Sequence, residues 1–287
     1  MKNPVRTPLT ALTVLLLGLV PAVVPVGPSV VSAEAATDTA IMRFDATNSS
    51  SYGGSGTIWT SLSGQDPSGG TLTAAGRGSP TPAFDPRSKS FTMETKSSFN
   101  DDHTEFLVES FNGNFTNGYS AFAVVDFGQS AQNYERIFDF GRGEAQSNIY
   151  FGRYGTTDRL ETRVYPSASG SPWQCLSGVG AIQRGFHQYQ VSVSAAGTCV
   201  MKRDGIPLTT STTGTLSLPN IEFTSNKIGQ TNWESGTWRE QEYLEGSIQS
   251  LIVYNSAKTT PECVPEESTF TGNGTIGTNG TPYQVLT

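Results

Sequence analysis

The chain has 287 residues, 15% of them charged, with 18 Lys and Arg against 25 Asp and Glu, and it carries 31 Gly and 16 Pro. So little charge and so many turn formers exclude a coiled coil or helical repeat, while 15 Phe, 10 Tyr and 4 Trp exclude a wholly disordered chain. A net charge of −7 with no basic run leaves no electrostatic footprint for nucleic acid or anionic lipid.

Lys2 and Arg6 precede an apolar stretch whose longest proline-free run is residues 11–20. That is about half of what a bilayer-spanning helix needs. Pro21, Pro25 and Pro28 follow, and then Ala33-Glu34-Ala35, a small-x-small string suited to signal peptidase. Residues 1–35 are therefore expected to be a secretory signal peptide. Its removal takes two cations and one anion, leaving a secreted chain that is more acidic still and has no membrane span.

Period-2 alternation dominates the remainder. Strands are expected at 40–45, 57–62, 90–94, 105–109, 119–127, 135–140 and 148–153, nearly all bounded by Gly, Asn, Asp or Pro. Along the next, Leu160, Thr162 and Val164 alternate with Arg159, Glu161 and Arg163. His187, Tyr189, Val191 and Val193 then alternate with Gln188, Gln190, Ser192 and Ser194, the pattern of a half-buried antiparallel strand. A strand at 199–203 follows, and 246–254 is apolar in both phases, as a strand covered on both faces would be. No segment after residue 35 shows helical spacing with a cap. About a dozen short strands at this spacing imply an all-β fold, a two-sheet antiparallel β-sandwich, over 36–258. Residues 259–287, rich in Gly, Thr and Pro, read as a linker or tail.

An oxidising compartment turns nearby thiols into bridges. Cys175, Cys199 and Cys263 allow three pairings, each leaving one thiol over. Cys175 and Cys199 flank a single strand and Cys263 lies in the tail, which favours Cys175 with Cys199.

Glu135-Arg-Ile-Phe-Asp-Phe-Gly141, Asn148-Ile-Tyr-Phe-Gly-Arg-Tyr154, Lys227-Ile-Gly-Gln230 and Leu244-Glu-Gly-Ser-Ile-Gln-Ser-Leu-Ile-Val-Tyr-Asn255 resemble, in this order, the laminin-G-like jelly rolls of the concanavalin A-like lectin/glucanase superfamily. The resemblance covers residues 105–258 and implies a concanavalin A-like jelly roll. Function stays open, because lectins, glycanases, lyases and adhesion modules share the fold.

Glycanases of the superfamily carry paired acids on one strand. Glu240-Gln-Glu242-Tyr-Leu-Glu245 is the nearest string, with Glu at the central Asp position, and only a bulge would put Glu245 on the face of the other two. Lyases use His, Tyr, Arg and Gln, the residue types of Gln183, Arg184, His187 and Tyr189, but His187 and Tyr189 fall in the phase of Val191 and Val193 and read as core. Two isolated histidines exclude a His-Glu-x-x-His zinc site. Superfamily members often hold Ca²⁺ with loop oxygens. Asp126, Asp139, Asp158, Asn232 and Glu234 could supply them, Asp158 first. Sugar binding needs flat aromatic faces with polar neighbours. Trp173, Trp233 and Trp238 sit in Gly- and Ser-rich surroundings, and together with Tyr154 are the candidate contacts for a polysaccharide, a glycoconjugate, or a cell-surface or matrix partner. A non-catalytic binding module is thus the expectation, ahead of a divergent glucanase or polysaccharide lyase and of a purely structural surface domain.

Overall fold

A computed structural model describes residues 40–63, 71–74, 82–93, 104–129, 133–166, 170–233 and 242–259. The expected signal peptide, the expected tail beyond Thr259 with Cys263, and Trp238, Glu234 and Glu240 lie outside the described residues. Nineteen strands and no helix occur among those described, and two antiparallel sheets pack as a β-sandwich.

In chain order the strands are β1 Ala40–Asp45, β2 Ile58–Thr60, β3 Thr71–Ala74, β4 Ala83–Asp85, β5 Ser90–Met93, β6 Phe106–Val108, β7 Phe111–Asn114, β8 Gly118–Asp126, β9 Arg136–Gly141 and β10 Ile149–Arg153. Then follow β11 Leu160–Val164, β12 Trp173–Ser177, β13 His187–Ser194, β14 Cys199–Arg203, β15 Ile206–Leu208, β16 Thr210–Thr213, β17 Asn220–Phe223, β18 Ser225–Ile228 and β19 Gly246–Tyr254. One sheet runs β15-β14-β13-β8-β19-β5-β4, with β1 also on β19. The other runs β16-β12-β11-β10-β9-β18-β6-β3-β2, and β7 and β17 form a small ribbon. The expected strands are all present. Those missed are short or Thr- and Ser-rich, where alternation has too few apolar residues to show.

The two long inner strands, β8 and β19, are buried on both faces for most of their length, as the apolar run of β19 requires. Between the sheets lies a core of interlocking rings: Trp59 stands 5.5 Å from Phe44 and 4.7 Å from Phe91, and Phe91 stands 4.8 Å from Phe106. Edge-to-face and tilted rings of this kind contribute beyond the area they bury. The Tyr119 hydroxyl of β8 reaches across the interior to Thr162 of β11. Cys175 of β12 and Cys199 of β14 are joined by a disulfide that ties the two sheets together. The first and last strands are neighbours, Ala40 lying opposite Tyr254.

Candidate functional site

Residues paired across an antiparallel ladder share a face. One row across the nine-stranded sheet is Lys227, Asp139, Tyr150, Arg163 and Gln174, and all five are on the face turned away from the core. On β9, simple alternation would put Arg136 with Phe138 and Phe140, inside. A β-bulge at Ile137 instead sets Arg136 opposite Gly152, in phase with Asp139 and Tyr150. Gly152 is required there, because a Cβ at that position would lie 2.0 Å from the Glu135 carbonyl oxygen.

After β18 the chain turns back over this face. The main-chain N–H of Asn232 donates to Asp139 Oδ2 at 2.9 Å, and that of Thr231 to the Glu242 carbonyl at 3.1 Å. A polar layer is thereby buried on the outside of the sheet. Arg136, 2% exposed, donates to Glu242 Oε2 at 2.6 Å and to the Tyr134 carbonyl at 2.7 Å, and its guanidinium lies 3.8 Å from the centre of the Tyr150 ring. Glu161 accepts from Tyr150 Oη at 2.9 Å, from Arg163 Nε at 2.6 Å and from Gln174 Nε2. Asn148 Nδ2 donates to Asp139 Oδ1 at 2.7 Å. Burial raises the pKa of Asp139 and of Glu242, against the pull of Arg136. Beside this layer Glu135 pairs with Arg153 and accepts the Glu245 N–H at 3.0 Å; burial outweighs Arg153 and pushes Glu135 up to about 7.

Above the buried layer runs a half-exposed strip. Trp233 stands edge-on to Tyr165 at 5.0 Å, and Arg163 Nη1 donates to Tyr165 Oη at 3.3 Å. The Arg163 guanidinium lies 5.6 Å from the Tyr134 ring, Tyr134 stands 5.7 Å from Tyr154, and Arg159 lies 5.9 Å from the Tyr154 ring. All six side chains are neither buried nor fully exposed. Four rings and two guanidiniums thus form one continuous surface, held on strands and on the turns that close them.

Of the expected sugar contacts, the structure brings Trp233 and Tyr154 to this strip. Trp173 is elsewhere: its indole is 3% exposed, because β12 sets it opposite Val164 in the phase that faces the core. Pro172 and the neighbouring Gly and Ser gave it the look of a loop. Glu242 is the partner of Arg136, and Glu245 directly precedes β19 with its N–H on Glu135. Tyr189 is buried, with Gln183 N–H donating to its hydroxyl at 3.2 Å, and His187 Nδ1 lies 2.6 Å from Asp204 Oδ2 on the other sheet. Asp158 is exposed on the β10–β11 turn. Asp126 accepts the Gly128 N–H at 2.9 Å, and both oxygens of Asp139 already accept from protein donors. No cluster of three or more His, Cys, Asp or Glu able to hold a metal occurs among the described residues. Tyr134, Tyr165 and Arg163 escaped the sequence reading; the alternation of Arg159, Glu161 and Arg163 was the one signal that marked this face.

No family model matches the chain, and no curated protein matches it. Solved structures do. The binding domain of botulinum neurotoxin DC in complex with SialylT superposes with a TM-score of 0.54 at 11% identity, over 77% of this chain and 49% of that one. A botulinum neurotoxin type C structure, described as dependent on interaction with two ganglioside molecules for cell entry, gives 0.53 at 11% identity over 77% and 48%. The same DC binding domain in complex with rat synaptotagmin II gives 0.52, again at 11% identity over 77% and 49%. The chain spans about half the length of these neighbours, and the likeness is one of fold.

Proposed function

We propose that this chain is an exported, non-catalytic, laminin-G-like module that binds glycans on the outer face of its nine-stranded sheet. The observation that carries the reading is the unbroken half-exposed strip from Trp233 through Tyr165, Arg163 and Tyr134 to Tyr154 and Arg159. Pyranose rings offer flat C–H faces edged with hydroxyls, and such a strip offers flat rings edged with donors. The strip is mounted on strands and braced by the buried polar layer, so little side-chain freedom is lost when a ligand settles on it. Export is supported by the signal-like residues 1–35 and by the Cys175–Cys199 bridge. The neighbouring toxin domains, met with SialylT, ganglioside and synaptotagmin, show that this architecture can carry glycan or receptor recognition.

Affinity electrophoresis through gels cast with polysaccharides, together with a glycan array, tests the reading. The purified protein is expected to be retarded by at least one glycan, and Trp233→Ala or Tyr165→Ala to weaken that binding by about tenfold or more. Retention of full affinity by both variants, or no retardation in any gel, would overturn it.

A further inference from the structure

We propose that the glycan this face takes is anionic and extended, read by Arg159 and Arg163 as a pair; the proposal rests on the glycan-binding reading above and narrows it. The argument is one of which charges face the ligand. Every carboxylate of the buried layer is spent inward. Glu161 is fully buried and saturated by Tyr150, Arg163 and Gln174, Glu242 is held by Arg136, and Asp139 by Asn148 and Asn232. Arg136 is buried with them. Among the described residues, what remains half-exposed on the strip is four rings and two guanidiniums, so the charge that these side chains offer to solvent is positive, on a chain that is acidic as a whole.

Both guanidiniums are fixed by one side and open on the other. Arg163 uses Nε on Glu161 and Nη1 on Tyr165, and its Nη2 has no partner among the described residues. The Arg163 side chain is 21% exposed. Arg159 uses Nε on the Ser177 carbonyl at 2.6 Å and keeps both outer amino groups. A planar fork anchored through one nitrogen presents its remaining N–H groups to a carboxylate or sulfate with its orientation already set.

Spacing adds the shape. Arg159 and Arg163 are four residues apart along β11 and its lead-in, in the same phase, hence roughly 13 Å apart along the strand. Tyr134 and Tyr154 contact the two guanidiniums from the adjoining strand ends. A linear oligosaccharide lying along β11 would meet cation, ring, ring and cation in turn. The exposed Asp158, in the bend that precedes β11, forms no ion pair with Arg159.

Four gels separate the possibilities: polygalacturonate, its fully methyl-esterified form, dextran sulfate and plain dextran. Retention by polygalacturonate over its ester, or by dextran sulfate over dextran, supports the proposal and tells carboxylate from sulfate. The chain's own net charge opposes such retention, so simple ion exchange would give the reverse. Arg159→Gln, which gives up one main-chain bond, and Arg163→Gln are each expected to weaken binding to the charged polymer by about tenfold and to flatten its salt dependence. Equal retention by charged and uncharged partners, or an unchanged preference in the double variant, overturns the anionic proposal while leaving glycan binding in place. Retention by none of a broad set of glycans overturns both.

Discussion

Glu135 shows how far burial can move a single group on this scaffold. Its carboxyl is pushed up to about 7 because the cost of desolvation exceeds what Arg153, first among its stabilising partners, returns. Asp139 and Glu242 are raised for the same reason, with Arg136 opposing. A carboxyl whose folded pKa lies above its unfolded value contributes stability that is complete below the unfolded value, near 4.5 for Glu135, and is lost as pH rises through about 7. The protein is therefore expected to melt at a higher temperature near pH 5 than near pH 8, against the usual trend for paired carboxylates. Asp85 is shifted the other way, lowered first by the Arg87 N–H, but it is open to solvent and its effect is screened. Calorimetry across that range decides the matter; a melting temperature that falls steadily from about pH 8 to about pH 5 would contradict it.

At the level of the strand, the bulge in β9 decides what the outer face contains. Without it Arg136 would point between the sheets, and the Glu242 carboxylate would lose its partner. Gly152 is the residue that lets the bulge close. Gly152→Ala is expected to cost about 1–3 kcal/mol or more in urea unfolding, and to weaken glycan binding by displacing Arg136 from beneath the Tyr134 end of the strip. A variant as stable as the parent would show that β9 can slide without cost. The same bulge explains why Arg136 was not legible beforehand: in Arg136-Ile-Phe-Asp-Phe-Gly141 the letters alternate the wrong way for the face the arginine occupies. Trp173 failed for a related reason, since proline, serine and glycine around it spoke for a loop while its pairing with Val164 made it strand and core. In contrast, β11 and β13 were plain from the start, because each places a full apolar phase against a full polar one.

Across the whole molecule, the two-sheet architecture was legible because half-covered sheets force strict alternation and fully covered strands such as β19 abolish it. What alternation cannot convey is which polar face becomes roofed over, since that depends on Thr231, Asn232 and Glu242, which lie far along the chain from the β9 residues they cover. The Cys175–Cys199 bridge closes a loop with a sequence separation of 24 and joins the two layers. Replacing both cysteines with alanine is expected to cost about 2–4 kcal/mol in denaturant unfolding while leaving the strip intact, so binding measured well below the transition should be unchanged. Loss of binding in that variant under native conditions would mean that the bridge also shapes the recognition face.

Because Ala40 lies directly across from Tyr254, the two ends of the described sandwich meet at one place. Such a body can be spliced into a surface turn of a host protein, or strung as one bead among several, without prising the host apart. The half-exposed strip of rings and guanidiniums is carried by β9 to β11 and the turn after β18 rather than by β1 or β19, away from that meeting point.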